Sequence, residues 1–378
     1  MTEIIYDFSH GGVDAGSFPY TVWRRISSEL LVRDQSRLLF SGEYQGELSL
    51  RKELSRYLYH SRGVRCTPGQ IIVGAGTQYL MMLLNLLIDK NAKIGVEDPG
   101  FHRTRAAFEH GGKMLIPLPL DEHGLKVNEL KKTNANLVYV TPSHQFPYGM
   151  MMPLKRRKEL LEWAQMQDGY IIEDDYDGEF RYSGKPIPSL QGLDADGRVI
   201  YLGTFSKSLI PSLRVSFMVL PQNLIEKNRG KLSVYKQTVS RFHQLTLYRF
   251  MKNGCFENHI HRIRTIYRKK HEVLLSSVRT HLGNRAEITG EKSGLHILLR
   301  IKDPRTEDFF INRALDYGVR VYPASIYYIN QRGAYPEVLL GFGGLAECEI
   351  EEAIKRLADA WFSKKGGGSS SQSKRLRV

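Results

Sequence analysis

Between residues 70 and 221, short apolar runs recur with amphipathic stretches between them. Residues 70–74, 92–97, 113–118, 136–141, 170–174, 198–203 and 215–220 are apolar at successive rather than alternate positions, the pattern of strands covered on both faces. Residues 80–88 and 155–167 carry apolar side chains at helical spacing. This alternation predicts an α/β layer around a mostly parallel sheet of seven strands. Residues 222–281 read as helical with little Gly or Pro and connect to a smaller α/β unit. That unit has strand-like 294–301 and 338–342 and helical 307–317 and 347–361. The expected division is an N-terminal arm and small-domain segment over 1–40, a large domain over 41–260, a small C-terminal domain over 261–363 and a flexible basic tail over 364–378.

Composition changes this picture little. Of 378 residues, 42% are hydrophobic and 25% charged, ordinary for a globular chain, and no apolar run is long enough to suggest a membrane span. The first residues lack the basic and apolar regions of a signal peptide. Cys66, Cys255 and Cys348 are scattered and odd in number, which favours a reducing cytoplasm over a disulfide framework. The net charge of +14 is less ordinary. Lys364, Lys365, Lys374, Arg375 and Arg377 in the tail supply +5 of it. A second basic cluster spans 259–270. It reads first as a solvated helix face, and otherwise as an electrostatic footprint for nucleic acid. No zinc finger or aromatic-rich RNA motif accompanies it.

In an open α/β sheet, ligands bind at the carboxyl ends of the strands, and there the candidate chemistry gathers. Lys207 follows Thr204 and Ser206 at one strand end, with Arg214 seven residues on. Alone it would be a surface lysine in a turn. With those neighbours it offers an amine for a carbonyl compound, beside hydroxyls and a guanidinium for a phosphate. Asp174 ends the most apolar strand, where a lone carboxylate is costly to bury. A protonated pyridine nitrogen is a fitting partner, and the set matches the needs of pyridoxal 5'-phosphate. Tyr176 shares the face of Asp174, whereas Glu173 and Asp175 point to the other. A metal site of the three acids is the competing reading, but no histidine lies near them in sequence. Gly76, Thr77 and Gln78 open a helix after a strand, a common turn that also suits a phosphate. Phe101 could cover a cofactor ring or simply fill the core. Either His144 or Gln145 could reach the ring oxygen.

Taken together, Tyr6-Asp-Phe-Ser-His-Gly11, Tyr44-Gln-Gly-Glu-Leu-Ser-Leu-Arg51, His60-Ser-Arg-Gly-Val-Arg65, Glu97-Asp-Pro-Gly-Phe101, Thr141-Pro-Ser-His-Gln-Phe-Pro147, Glu173-Asp-Asp-Tyr-Asp-Gly-Glu-Phe180 and Gly203-Thr-Phe-Ser-Lys207 resemble a fold-type I pyridoxal-phosphate enzyme of the aspartate aminotransferase superfamily. They are most similar to the aminotransferase-like domain of MocR/GabR-type transcriptional regulators, over roughly residues 6–362. The resemblance implies Lys207 as the lysine bonded to the cofactor, Asp174 at the pyridine nitrogen, Tyr176 at the ring oxygen and Phe101 on the ring. It puts Thr204, Ser206 and Arg214 at the phosphate. It also implies a homodimer in which Tyr44 reaches the neighbouring subunit's phosphate. Such regulators contact DNA through a winged-helix domain, and this chain starts at the aminotransferase-like part. The family's usual carboxylate-clamping arginine is replaced by Leu339, with Arg103 or Arg332 as conceivable substitutes.

Three functions follow as expectations: a domain that senses a small amine or amino acid through a Schiff base, a working aminotransferase, or a nucleic-acid-binding protein with an inactive cofactor site.

Overall fold

The computed structural model describes residues 3–182, 187–330, 333 and 335–363. Arg332 and the basic tail lie outside them. The large sheet comprises β2 (Ile71–Gly74), β3 (Lys93–Asp98), β4 (Met114–Asp121), β5 (Gly124–Leu125), β6 (Leu137–Val140), β7 (Tyr170–Asp175), β8 (Val199–Thr204) and β9 (Ser216–Val219), preceded in the chain by β1 (Tyr6–Asp7). The spatial order β2-β9-β8-β7-β6-β3-β4-β5 makes eight strands rather than seven. The addition, β5, is a two-residue hairpin return against β4, too short to leave a hydrophobic period. β3, β4, β6, β7 and β8 pair in parallel, while β9 runs antiparallel to both β8 and β2.

Register positions the chemistry. Asp174 pairs with Leu202 across β7 and β8, so the acid at one strand end lies beside the strand that leads to Lys207. Ser216 pairs with Thr204 on one side and Gly74 on the other. That row brings the turns after β8 and β2 and before β9 to one edge. The crossover helices Thr77–Leu87 and Leu154–Met166 begin a few residues from the predicted segments.

The smaller sheet is antiparallel, with β10 (Ala286–Thr289), β11 (His296–Ile301), β14 (Glu337–Gly341) and β13 (Tyr322–Pro323) side by side. β1 pairs in parallel with β12 (Val319–Arg320), tying the N-terminal arm to this lobe. Helix Cys255–His281 links the lobes: Phe256, Ile263 and Tyr267 join one apolar cluster that extends from Phe205 and Phe217 to Leu299 and Trp361. The basic cluster on this helix is therefore not a uniformly solvated face. His259 and Lys270 are buried. The His259 ring Nε2 lies 2.8 Å from the Ser208 carbonyl, and Lys270 donates to Asp14 at 2.6 Å. Part of the charge is spent on holding the fold. No helix among the described residues is long and apolar enough to cross a membrane.

Candidate active site

The acids that end β7 divide by strand alternation. Glu173 accepts the backbone N–H groups of Leu190 and Gln191 at 2.8 and 2.9 Å. Asp175 accepts from Arg62 at 2.5 Å and from the Tyr201 hydroxyl at 2.6 Å. Asp174 faces the opposite way, where the Tyr139 hydroxyl donates to it at 2.5 Å. Burial, reinforced by Asp175 and Asp177, pushes the Asp174 carboxyl up to about 7, against the pull of the Tyr139 hydrogen bond. Among the described residues this buried carboxyl has no cation of the kind that its neighbours Glu173 and Asp175 have. A protonated ring nitrogen would supply one.

Lys207 is half-buried in the turn after β8, and its amine donates to the backbone carbonyl of His10 on the N-terminal arm. Burial lowers its ammonium to about 8, partly opposed by Asp177. An amine held there is neutral often enough near neutral pH to attack a carbonyl carbon. Around it, Thr204 accepts from the Ser206 N–H at 3.2 Å and from the Ser216 hydroxyl at 2.8 Å.

Arg214 has a left-handed backbone (φ 51°) at the end of the turn Pro211–Leu213, and its exposed side chain crosses back to the start of helix Thr77–Leu87. It packs so closely on Gly76 that a β-carbon there would overlap the guanidinium. Gly76 itself sits at φ 91°, where side chains are strained. Arg214 is thus brought to the start of the helix that half-buried Thr77 and exposed Gln78 open, an arrangement of donors that could take a phosphate. Gly76→Ala should displace Arg214 and weaken pyridoxal phosphate binding roughly ten- to a hundredfold, the scale of one charged hydrogen bond. Spectroscopic titration with the cofactor reads this directly.

An aromatic wall closes the site. Phe101 is half-buried and stacks on Phe146, with centroids 3.9 Å apart and planes 7° off parallel, and meets Tyr176 edge-on at 5.0 Å. Leu339 lies fully buried in the same cluster with Phe146, Tyr176, Leu298, Ala324 and Tyr327. Exposed Arg103 lies near His10 and Tyr327: burial, with Lys207 and Arg103 adding to it, holds the His10 ring down to about 3, and burial pushes the Tyr327 phenol up to about 12 against the pull of Arg103. Half-buried Tyr44 packs against the apolar cluster under β2, and its carbonyl accepts from Gln237 at 3.1 Å.

The alternative between His144 and Gln145 also takes a definite form. The Gln145 amide is used by the backbone, donating to the Pro99 carbonyl after β3 at 2.9 Å and to the Phe146 carbonyl beside it at 2.6 Å. His144 instead meets the Tyr176 hydroxyl at 2.8 Å and Asp177 at 2.8 Å. His144, Asp177 and His296 also hold potential ligand atoms within 4.8 Å of one another, but His144 and Asp177 are hydrogen-bonded to each other and His296 Nε2 lies 3.2 Å from the Pro147 carbonyl. Tyr139, Asp177, His10, Phe146 and His296 escaped the sequence reading as site residues. A phenol inside the aliphatic run of β6 was the one local signal for Tyr139. His10 and His296 come from chain segments far from the strand ends, which no local pattern connects.

The comparisons agree with this geometry. Residues 5–357 match the family model "Aminotransferase class I and II". The transcriptional regulator YhdI of Bacillus subtilis, of the helix-turn-helix type, is 51% identical over 94% of this chain and 76% of its own length. The probable rhizopine catabolism regulatory protein MocR of Rhizobium meliloti is 31% identical over 96% of this chain and 73% of its own. Among solved structures, the kynurenine aminotransferase of Pyrococcus horikoshii superposes with a TM-score of 0.86 at 29% identity, covering 95% of this chain and 91% of that one. The chain therefore belongs to the aminotransferase class I and II family, with the fold-type I architecture and pyridoxal phosphate as its cofactor.

Proposed function

We propose that this chain is the ligand-sensing part of a transcription regulator of the MocR/GabR type, which binds pyridoxal phosphate at Lys207 and reads an amine through it. The observation that carries this reading is 51% identity to a helix-turn-helix regulator across 94% of the chain. DNA contact belongs to a winged-helix domain outside this chain. The three free cysteines are consistent with work in the cytoplasm.

The cofactor supplies a carbonyl that condenses with amines and a ring that draws electron density from the new bond. The residues supply everything else. Lys207 offers the attacking nitrogen. Asp174 holds a proton on the ring nitrogen. Tyr176 faces the ring oxygen, and Arg214 with the helix start at Gly76 takes the phosphate. Phe101 has one face on Phe146, so its opposite face is the one left for the ring. His10 brings the N-terminal arm, and with it the small lobe, onto the Lys207 amine. That contact uses the free Lys207 amine, which bonding to the cofactor would occupy and an incoming amine would set free again, giving ligand binding a route to lobe movement.

Leu339 defines the ligand class. An apolar side chain enclosed by aromatic rings offers no donor to a carboxylate. An amine without an α-carboxylate should therefore bind at least as tightly as the α-amino acid that carries the same side chain. Titrating the bound cofactor's absorption with matched pairs decides this. A clear preference for the amino acid would move the recognition role to another group, with Arg103 the first to test.

Turnover as an aminotransferase is the second reading, favoured by the intact Lys207 and Asp174 and by the superposition on a kynurenine aminotransferase. Repeated cycles of amino transfer between an amine and a keto acid would establish it, whereas binding that stops at the first adduct supports the sensor.

A homodimer with shared sites completes the proposal. Leu39 and Phe40, just before Tyr44, are 81% and 70% exposed, apolar area that an obligate interface would cover. Mixing Tyr44→Ala with Lys207→Ala subunits should restore one intact site per heterodimer. A monomer in sedimentation that still binds cofactor fully would show that Tyr44 acts within its own chain or not at all.

A further inference from the structure

The polar group behind Tyr176 has more structure than a single contact to a ring oxygen requires. The Tyr176 hydroxyl lies 2.8 Å from Nδ1 of His144 and 3.0 Å from the His144 backbone carbonyl. The same Nδ1 lies 2.8 Å from a carboxylate oxygen of Asp177. All three side chains are buried. Nδ1 carries at most one hydrogen. Were it bare, it would face the Asp177 oxygen lone pair to lone pair at hydrogen-bonding distance. It therefore carries the hydrogen, and the charged carboxylate takes it in preference to the neutral phenol. The Tyr176 hydrogen is then left to the His144 carbonyl, and the phenol oxygen rests against the polarised N–H. Neither His144 nor Asp177 has to touch a cofactor to have this effect.

We propose that His144 and Asp177 are positioning residues for Tyr176. Asp177 fixes the His144 tautomer, and His144 fixes the phenol, leaving its hydrogen one rotation about the C–O bond from the cofactor's ring oxygen. The inference rests on pyridoxal phosphate binding beside Tyr176. The other titratable groups around the pair are Arg62, Arg157 and Arg181, which line the same small cavity, His296, whose ring centroid lies 4.7 Å from that of His144, and His271, held down to about 4 by burial, with Arg279 and His144 adding to it. Asp174, Tyr182 and Lys207, each of which feels Asp177, and His10, which acts on His296, lie further round. The hydrogen bond of Asp177 reaches the phenol through His144, while its charge also acts directly on Tyr176 and on Lys207.

The cofactor-loaded protein is titrated with base while the visible absorption of bound pyridoxal phosphate is followed. A wild-type protein without that absorption would defeat the cofactor reading itself, before any variant is compared. Tyr176→Phe removes a donor to the anionic ring oxygen, so the neighbouring imine proton is held more tightly and the midpoint should rise by about one pH unit. His144→Ala should raise it in the same direction, and so should Asp177→Ala once its direct lowering effect on the Lys207 nitrogen, read from Asp177→Ala in the Tyr176→Phe background, is taken off. The double variant Asp177→Ala/Tyr176→Phe should move no further than Tyr176→Phe alone, because one chain of contacts is being cut twice. Asp177→Asn keeps an acceptor without its charge and should give a smaller rise, and it decides the matter if the alanine variant does not fold. A wild-type midpoint in His144→Ala, or an Asp177 shift that is the same with and without the Tyr176 hydroxyl, would overturn the proposal.

Discussion

Lys207→Ala is expected to yield a colourless protein that no longer retains cofactor covalently. The residue stands alone in the required combination: an amine at the carboxyl end of β8, lowered to about 8 by burial, within a turn shared with Thr204 and Ser206. The sign of the pH effect follows from that value. The attacking form is the neutral amine, so wild-type adduct formation should accelerate as pH rises towards about 8 and level off above it. Stopped-flow absorbance after mixing with pyridoxal phosphate checks both points. A variant lacking Lys207 that still gives a borohydride-stable adduct at wild-type stoichiometry would show that another lysine does this work.

Asp174→Asn should reduce cofactor affinity by roughly a hundredfold or more, since removing one member of a buried ion pair costs about 3 kcal/mol or above. The substitution keeps the size of the side chain and an acceptor for the Tyr139 hydroxyl, so the fold should survive. Relief of burial even predicts a cofactor-free variant at least as stable as the wild type above about pH 7, where the native carboxyl must carry its charge without a cation. Calorimetric titration and thermal unfolding with and without cofactor separate these effects. Equal affinity in the two proteins would mean that the ring nitrogen does not meet Asp174.

The strand pattern was legible because buried parallel strands are apolar throughout, and the site residues that end them stand out as polar interruptions. Lys207, Asp174 and Tyr176 were visible for that reason. Gly76 and Arg214 were each visible, but their mutual packing was not, since it depends on β9 running antiparallel between β2 and β8. The eighth strand was too short to carry a period. His10 and His296 reach the site only because β1 pairs with β12, and β11 with β14, long-range pairings without a local signature. The basic run on the long helix misled in part: periodicity separates faces, but it cannot say that Lys270 pairs with an aspartate 256 positions away.

The most direct test of the central claim is to reduce the cofactor-loaded protein with borohydride, digest it and locate the pyridoxyl group by mass spectrometry. The expected product is a single modified peptide with the label on Lys207. Label spread over surface lysines, or concentrated on a different one, would contradict the assignment of the site.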